Sequence, residues 1–332
     1  MNYLLFASLG FISGLFWIWV FFGKVSFKGK FSNITLLFFL GMLAALAALV
    51  IQKTIFYFFP FINNSSNKIF SFFQMFFIVA PIEEYFKCAT VELTVYKSKK
   101  FNLVSDGIIY AIACALGFGA MENILYFIMF YEEAFIYEIL LKRSLLSILG
   151  HAAFSGLMGF YMGLAKQNQD KEQKLILSGL AAAILLHGLY NFLLSTNTII
   201  TFLIFPEVFI IMLILENRMN SYKDETTAVP LKKINFSFII IPVLILSTAC
   251  FFLEDREVTR LKGKNIIEET ALYNLYDGIS IDKAKKILGP PVESQEFFGR
   301  NEVIYIYVYK TKFGDYKRVK LIFIEGKLHL KK

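Results

Sequence analysis

Long apolar runs recur along this chain, and they limit what it can fold into. A helix needs about 18 or more mostly apolar residues to cross a bilayer. Eight runs meet or approach that length, and they begin near Tyr3, Ile34, Ile69, Leu103, Leu145, Leu175, Ile199 and Ile234. Of the 332 residues, 57% are hydrophobic and the mean hydropathy is +0.58, which exceeds what soluble domains carry. We therefore predict an all-α polytopic membrane protein with about eight transmembrane helices, plus a small α+β C-terminal domain.

The positive charges indicate an orientation for these helices. The net charge is +8, but the basic residues lie in short loops between apolar runs, where the positive-inside rule explains them better than nucleic acid binding. With the N-terminus outside, the inside loops hold Lys24, Lys28, Lys30, Lys97, Lys99, Lys100, Lys166, Lys171, Lys174, Arg218, Lys223, Lys232 and Lys233. The outside loops hold only Lys53, Lys68, Lys142 and Arg143. We predict an extracytoplasmic N-terminus, an extracytoplasmic C-terminal domain and no nucleic acid partner.

The sequence pattern changes at about Leu253, which divides the chain into a membrane domain, residues 1–253, and a polar tail, residues 254–332. In the tail, Ser280 is a predicted helix N-cap and Gly289 ends that helix. The segments "EVIYIYVYK" and "VKLIFIEGKLHLKK" predict strands, the second with a turn at Glu325 and Gly326. The order of glycine-containing turn, short helix ending in "LGPP" and antiparallel sheet resembles the BamE/SmpA family of small lipoproteins. That resemblance implies an α+β domain that binds an envelope protein; a cap without a partner is the alternative.

A lipoprotein-like segment, "LILSTAC", lies in the last apolar run and ends at Cys250. Such signals usually place a larger aliphatic residue where Ser247 stands, and the apolar run continues beyond the cysteine. We therefore predict an ordinary eighth helix instead of a lipidated cysteine.

Ionisable and amide side chains interrupt four of the apolar runs. The third run has Glu83, Glu84 and Lys87, the fourth Glu122 and Asn123, the fifth His151, and the sixth His187 and Asn191. A charged residue at the centre of a bilayer costs about 2.5 to 3.5 kcal/mol on insertion scales. Singly, each of these residues is explained by an interhelical hydrogen bond. Together they predict a buried polar site contributed by four helices.

Helical spacing suggests how the third run is arranged. Glu83 and Lys87 are four residues apart and are predicted to pair on one face, whereas Glu84 points about 100° away. One carboxylate would then be neutralised and the other left for chemistry, and the spacing does not decide which. Asp106 lies near the start of the fourth run, where it is predicted to cap a helix.

The ordered segments "EEYFK", "DGIIYAIACALGFGAMENILY", "HAAFSGLMGFYMG" and "HGLYN" resemble the motifs of the PrsW intramembrane proteases, distant relatives of the CAAX prenyl endopeptidases. The resemblance covers about residues 80–192. It implies a multi-pass endopeptidase of the bacterial cytoplasmic (inner) membrane that cleaves a membrane protein near its extracytoplasmic side. In the family, the best-known substrate is a membrane anti-sigma factor.

The mechanism that we expect is water activation by a carboxylate, in which Glu83 or Glu84 takes a proton from water. The expected catalytic residues are Glu83, Glu84, Glu122, His151 and His187, supported by Lys87, Asn123 and Asn191. Glu122 would help to hold the water, the histidines would supply protonation or oxyanion hydrogen bonds, and Asn191 would donate to the oxyanion. No cofactor is expected. The alternative is a zinc ion bound by Glu83, Glu122, His151 and His187.

Two hypotheses from other classes stay open on the sequence alone. The first hypothesis is a proton-coupled transporter, because buried glutamates and histidines also form proton relays. The second is a non-catalytic envelope scaffold that uses the tail to bind its partner.

Overall fold

A computed structural model describes residues 2–22, 30–62, 68–130, 140–196, 199–221, 266–297, 302–310 and 316–331. The chain divides into two compact units, Met1–Ser247 and Thr248–Lys332. The predicted domain boundary at residues 253 and 254, the predicted eighth span and Cys250 lie outside the described residues.

Seven helices of the first unit are long and apolar enough to cross a membrane, counted over the described residues. They are α1 (Asn2–Phe22), α2 (Phe31–Phe58), α3 (Lys68–Tyr96), α4 (Val104–Phe130), α5 (Leu140–Gln167), α6 (Glu172–Thr196) and α7 (Ile204–Ser221). The first unit is therefore a polytopic helical membrane protein, as predicted. Side chains such as Leu4 and Leu93 are 79% and 85% exposed, which suits a surface covered by lipid.

Helices α4 and α5 form the centre of this unit. In their most apolar segments 78% of the residues are buried, against at most 44% in the other spans. Close packing depends on glycine: a Cβ on Gly117 of α4 would lie 1.8 Å from the carbonyl oxygen of Phe38 in α2, and one on Gly159 of α5 would lie 2.2 Å from the carbonyl oxygen of Gly107. Small residues let membrane helices approach this closely. The central helices thus hold the polar residues of neighbouring helices at short distances.

Three π-helical turns interrupt the spans. Met75–Val79 and Glu92–Tyr96 lie in α3, and Arg143–Ser147 lies in α5. A π turn adds a residue to the helix and is frequent at functional sites. The first of them directly precedes the helical turn that carries Glu83 and Glu84.

The start of α5 differs from the prediction. The apolar run predicted a start near Leu145 with Lys142 and Arg143 in an outside loop, but the helix begins at Leu140 and includes both cations. The side chain of Arg143 is only 17% exposed and pairs with Glu122. An acidic partner on α4 explains why this cation lies within the span.

Asp106 stabilises the start of α4, as the sequence predicts. Its Oδ2 accepts hydrogen bonds from the backbone N–H groups of Asn102 and Leu103, at 3.1 and 3.0 Å. Its other oxygen forms an ion pair with Lys30. Asp106 is therefore a capping residue.

Among its described residues, the second unit contains a five-stranded sheet, one short α-helix and a 3₁₀ helix, Glu269–Asn274. The strands are β1 (Ile266–Glu268), β2 (Glu293–Phe297), β3 (Glu302–Lys310), β4 (Tyr316–Ile324) and β5 (Lys327–Lys331). The order is β1-β3-β4-β5, and β2 pairs antiparallel with β3 on the edge that β1 also uses. Strand β1 is parallel to β3, so the sheet is mixed, whereas the BamE/SmpA resemblance implied an antiparallel one.

The local signals of the tail are confirmed. The helix α8 (Ile281–Leu288) begins after Ser280, whose side chain accepts from the backbone N–H of Lys283, and ends at Gly289 with φ 76°. Glu325 and Gly326 have φ 51° and 74° and form the turn between β4 and β5. A two-residue turn with positive φ suits the twist of a hairpin.

Candidate functional site

Glu84 is the fully bonded carboxylate of the site. It has no exposed surface. Lys87 Nζ and His187 Nδ1 both donate to its Oε1, at 2.7 and 2.8 Å, and Ser155 Oγ donates to its Oε2 at 2.9 Å. Glu84 therefore joins α3, α5 and α6 and has both oxygens engaged.

Glu83 has a different environment, although it is the neighbouring residue. Gln52 Nε2 donates to its Oε1 at 3.2 Å. Its Oε2 is buried and accepts no hydrogen bond from any residue that the structure describes. Lys87 Nζ lies 4.0 Å from this oxygen, beyond hydrogen-bonding distance. Glu83 thus carries a carboxylate oxygen with free lone pairs.

His187 presents its second ring nitrogen to that oxygen. Its Nδ1 faces the Glu84 carboxylate, which only accepts, so in the neutral imidazole Nδ1 carries the hydrogen and Nε2 has a lone pair. Nε2 lies 3.7 Å from Glu83 Oε2. The ring of Phe154 stacks on the imidazole with centroids 5.5 Å apart, which fixes its plane. Two hydrogen-bond acceptors therefore face each other across a short gap.

His151 has the opposite tautomer, for a similar reason. Lys87 Nζ lies 2.9 Å from its Nδ1, and an ammonium group only donates, so Nδ1 accepts. Nε2 then carries the hydrogen and donates to Glu122 Oε2 at 2.8 Å. Lys87 also lies 4.3 Å over the ring of Phe118. A continuous chain of hydrogen bonds thus runs from Glu84 through Lys87 and His151 to Glu122.

Arg143 is the site residue that sequence reasoning missed. Its guanidinium forms a 2.8 Å ion pair with Glu122, and its Nε donates to Asn123 Oδ1 at 3.1 Å. Sequence reasoning also missed Gln52 of α2, which bonds Glu83. For Arg143, the available signal was its position just before an apolar run. An ordinary loop residue has the same position.

A cavity of about 1070 Å³ opens onto this network. Side chains of α2, α3, α4, α5 and α6 line it, and the polar ones include Gln52, Glu83, Glu122, Arg143, His151, His187 and Asn191. Most of the remaining lining is apolar or aromatic, such as Leu49 and Tyr126. Glu84 and Lys87 lie behind the wall without exposed surface. The cavity therefore offers a carboxylate oxygen that accepts no hydrogen bond from the described residues, and an imidazole lone pair, to a molecule that enters from apolar surroundings.

The geometry shows which glutamate Lys87 neutralises, a point that helical spacing left open. The ammonium bonds Glu84 at 2.7 Å and forms only a long 4.0 Å ion pair with Glu83. Residues three apart on a helix are neighbours just as residues four apart are, and hydrogen bonds from His187 and Ser155 hold Glu84 on the same side. Asn123 does not line the cavity; it bonds Arg143 and Ser13 instead.

The donor set also suits a metal ion. Glu83, His151 and His187 each offer a ligand atom, and these atoms lie within 4.8 Å of one another. The uncompensated Oε2 of Glu83 and the free Nε2 of His187 are the lone pairs that a cation would use. Two imidazoles and a carboxylate form the ligand set of several catalytic zinc sites. Glu122, which the zinc alternative included, is not part of this cluster, because it is engaged by Arg143 and His151.

Comparison with known proteins relates the helical unit to one family. Residues 30–215 match the family model described as "PrsW family intramembrane metalloprotease". The protease PrsW of Oceanobacillus iheyensis is 31% identical over 191 residues, which cover 57% of this chain and 83% of that protein. The protease PrsW of Bacillus subtilis is 38% identical over 127 residues, 38% of this chain and 56% of that protein. The one of Geobacillus kaustophilus is 36% identical over 121 residues, 36% and 52% of the two chains.

No solved structure matches the chain significantly. The matched range, residues 30–215, contains every residue that lines the cavity and excludes α1 and the C-terminal unit.

Proposed function

Because the chain belongs to the PrsW family of intramembrane proteases, we propose that it is an endopeptidase in which Glu83 activates the attacking water. The observation that carries the assignment is the pair of acceptors formed by Glu83 Oε2 and His187 Nε2, 3.7 Å apart on the cavity wall. Two acceptors do not bond each other, so the group that suits the space between them is a hydrogen-bond donor such as water, or a cation. Glu84 is the weaker candidate because its oxygens already accept three hydrogen bonds.

The proposed step follows from these positions. Water donates its hydrogens to Glu83 Oε2 and His187 Nε2, which leaves an oxygen lone pair for the scissile carbonyl carbon. As the C–O bond forms, one water proton moves to Glu83. The C–N bond then breaks, and the same proton passes to the leaving amine, which restores the carboxylate.

The other polar groups of the wall have supporting roles in this proposal. Asn191 lines the cavity one turn beyond His187 and is the proposed donor to the oxyanion. Glu122 and His151 orient each other through the hydrogen bond between them. Glu84 keeps His187 in the tautomer whose Nε2 accepts, as a carboxylate does for a catalytic imidazole.

A metal-dependent form of the same activity is the second candidate, supported by the ligand cluster and by the wording of the family model. Glu83, His151 and His187 would hold the ion, and zinc in such a site supplies an activated water and polarises the carbonyl. To bind the ion through Nε2, His151 would stay neutral and carry its hydrogen on Nδ1, so its hydrogen bonds to Lys87 and Glu122 would have to change.

The substrate that we propose is a single-pass membrane protein cut near its extracytoplasmic side, in the way that a membrane anti-sigma factor would be. Support comes from the cavity, whose lining is largely apolar and therefore suits a segment that leaves the lipid phase. We further propose a bacterial inner-membrane location and that the C-terminal unit binds an envelope protein. Deleting residues 254–332 tests this last role: loss of cutting would support substrate recruitment, and a gain would support inhibition.

The experiment is cleavage of a panel of single-pass membrane proteins by purified wild type, Glu83→Gln, Glu84→Gln and Glu122→Gln, with and without chelator. Glu92→Gln is the matched control, since Glu92 is an exposed glutamate of the same helix α3. The glutamate mechanism is supported if wild type and Glu92→Gln still cut in the presence of chelator and Glu83→Gln does not cut. Loss on chelation, restored by zinc, supports the metal form. A wild type that cuts nothing, with an ion flux that Glu83→Gln abolishes, would contradict both.

A further inference from the structure

Arg143 is a partly buried cation to which the proposed mechanism gives no role. It lies in the π turn at the start of α5, and its side chain is 17% exposed. A charged group at membrane depth is costly unless other groups compensate it. The compensation that surrounds Arg143 is therefore informative about what the residue does.

Three contacts fix the orientation of the guanidinium. It pairs with Glu122 Oε2 at 2.8 Å, donates from Nε to Asn123 Oδ1 at 3.1 Å, and lies 3.7 Å over the ring of Tyr126. Asn123 is itself held, because its Nδ2 donates to Ser13 Oγ of α1 at 3.0 Å. The planar guanidinium therefore has one geometry relative to α4, which a lysine ammonium would not reproduce.

The backbone that carries Arg143 is tied to α1 as well. Trp17 Nε1 donates to the carbonyl oxygen of Ser144 at 2.7 Å, and Trp17 is fully buried. Helix α1 lies outside the matched family range. In this chain it supports the α5 turn both at Ser144 and, through Ser13 and Asn123, at the guanidinium.

Glu122 is the residue that this arrangement holds. Its side chain is 22% exposed and lines the cavity, and the same Oε2 that pairs with Arg143 accepts from His151 Nε2 at 2.8 Å. One oxygen is thus held from two sides. Without Arg143, only the imidazole would restrain a flexible carboxylate at a partly open wall.

We propose that Arg143 is a positioning residue: it holds Glu122 against His151 and so fixes the imidazole that borders the reacting groups. The inference deepens the proposed function, on which it rests for the role of the cavity as a proteolytic site. Arg143 itself does not touch the peptide bond in this proposal.

Kinetics of Arg143→Gln, Glu122→Gln and the double variant test the connection. We expect Arg143→Gln to lower kcat by about 10²-fold, the size of effect that small misplacements produce, with KM little changed. The double variant should be no slower than Glu122→Gln, because residues that act as a unit are non-additive. Arg143→Lys, which keeps the charge without the fork, should recover only part of the rate. Lys174→Gln, which removes an exposed cation of α6, is the control and should match wild type.

A second readout does not depend on cleavage. An apolar carbodiimide modifies carboxyl groups that no cation holds as carboxylates, and mass spectrometry of the peptide that contains Glu122 measures the yield. We expect little modification of Glu122 in wild type and several-fold more in Arg143→Gln. Two results would overturn the inference. One is an equal yield of labelled Glu122 in wild type and Arg143→Gln. The other is a double variant whose loss in kcat is the product of the losses in the two single variants. A wild type that cuts nothing but shows the expected labelling would contradict the proposed function and leave the Arg143–Glu122 arrangement supported.

Discussion

Glu83 and Glu84 are adjacent in sequence, but their carboxylates differ in how many hydrogen bonds they accept. Glu84 accepts three from Lys87, His187 and Ser155. Glu83 accepts one, from Gln52, and its Oε2 has none from the described residues. Substitution of each should therefore affect a different property of the protein.

For Glu83→Gln we expect a protein that folds normally and is nearly inactive. The amide is isosteric and still bonds Gln52, so the thermal midpoint in detergent should stay close to that of wild type. General acid and base groups contribute about 10²- to 10⁴-fold, and cleavage rates should fall by at least that range. A variant that retains wild-type cleavage would contradict the assignment of Glu83 as the base.

For Glu84→Gln we expect a loss of stability as well as activity. Removing one charge of a buried pair costs about 3 to 5 kcal/mol, because the other charge is left without compensation. Thermal unfolding should show this loss, and the double variant Glu84→Gln with Lys87→Met should recover part of it. A single variant as stable as wild type would mean that Lys87 does not depend on Glu84.

Most of the site residues could be identified from the sequence, but their hydrogen-bond and ion-pair partners could not. Polar residues in apolar runs are conspicuous, which is why Glu122, His151 and His187 were found. Which glutamate Lys87 bonds depends on donors from α5 and α6, and helical spacing on α3 carries no information about them. Arg143 was missed because a cation at the end of a run is normally a loop residue, and only its acidic partner on α4 shows otherwise.

Among the elements, the contact between α2 and α4 depends on a glycine. We expect Gly117→Ala to destabilise the protein by about 1 to 3 kcal/mol, the usual cost of overpacking, since the new Cβ would lie 1.8 Å from the backbone oxygen of Phe38. Gly150→Ala is the control: its Cβ would be 3.3 Å from the ring of Phe154. Equal unfolding temperatures for the two variants in detergent would show that α2 moves away freely.

The β4–β5 turn of the C-terminal unit is a place where a substitution should increase stability. Glu325 has φ 51°, which side chains other than asparagine and aspartate rarely adopt, and Gly326 follows it. Glu325→Asn should stabilise the hairpin by up to about 1 kcal/mol, and Glu325→Val should destabilise it. Amide hydrogen exchange of Ile324 and Lys327, the paired residues that flank the turn, measures both effects in the full chain. Faster exchange in Glu325→Asn would contradict the prediction.

The elements themselves were largely predictable. Apolar length identified all seven described spans, and turn residues identified α8 and the β3, β4 and β5 strands, because these signals are local. The three π turns had no sequence signal, since nothing in "MFFIV" distinguishes it from an α-helical segment. Strand β1 escaped prediction because three residues are too few for an alternating pattern, and its parallel pairing with β3 is a long-range contact.

At the scale of the whole molecule, the number of spans sets the side on which the C-terminal unit lies. Seven spans leave the two ends of the helical unit on opposite sides of the membrane. The predicted eighth span, from about Ile234 to Leu253, would return the chain to the side of its N-terminus. The predicted extracytoplasmic location of the tail therefore depends on that span.

Cysteine labelling in spheroplasts measures this topology. In a background without the native cysteines, Tyr276→Cys, at a position that is 59% exposed, should react with a membrane-impermeant maleimide added outside. Lys99→Cys, in a predicted inside loop, should react only after lysis. Protection of Tyr276→Cys in intact spheroplasts would place the tail in the cytoplasm and contradict the eighth span.

The π turn at Met75–Val79 also has a consequence for how this chain is compared with others. In an α-helix one residue corresponds to about 100° around the axis, and the wider π turn takes up the extra residue locally. A homologue that lacks the extra residue would align by its two glutamates, but without a gap the residues before them would be matched to side chains that point about 100° away. Gaps in an alignment of this segment should therefore indicate which side chains line the cavity. Inhibitor selectivity among homologues would then depend more on the direction in which these side chains point than on residue identity.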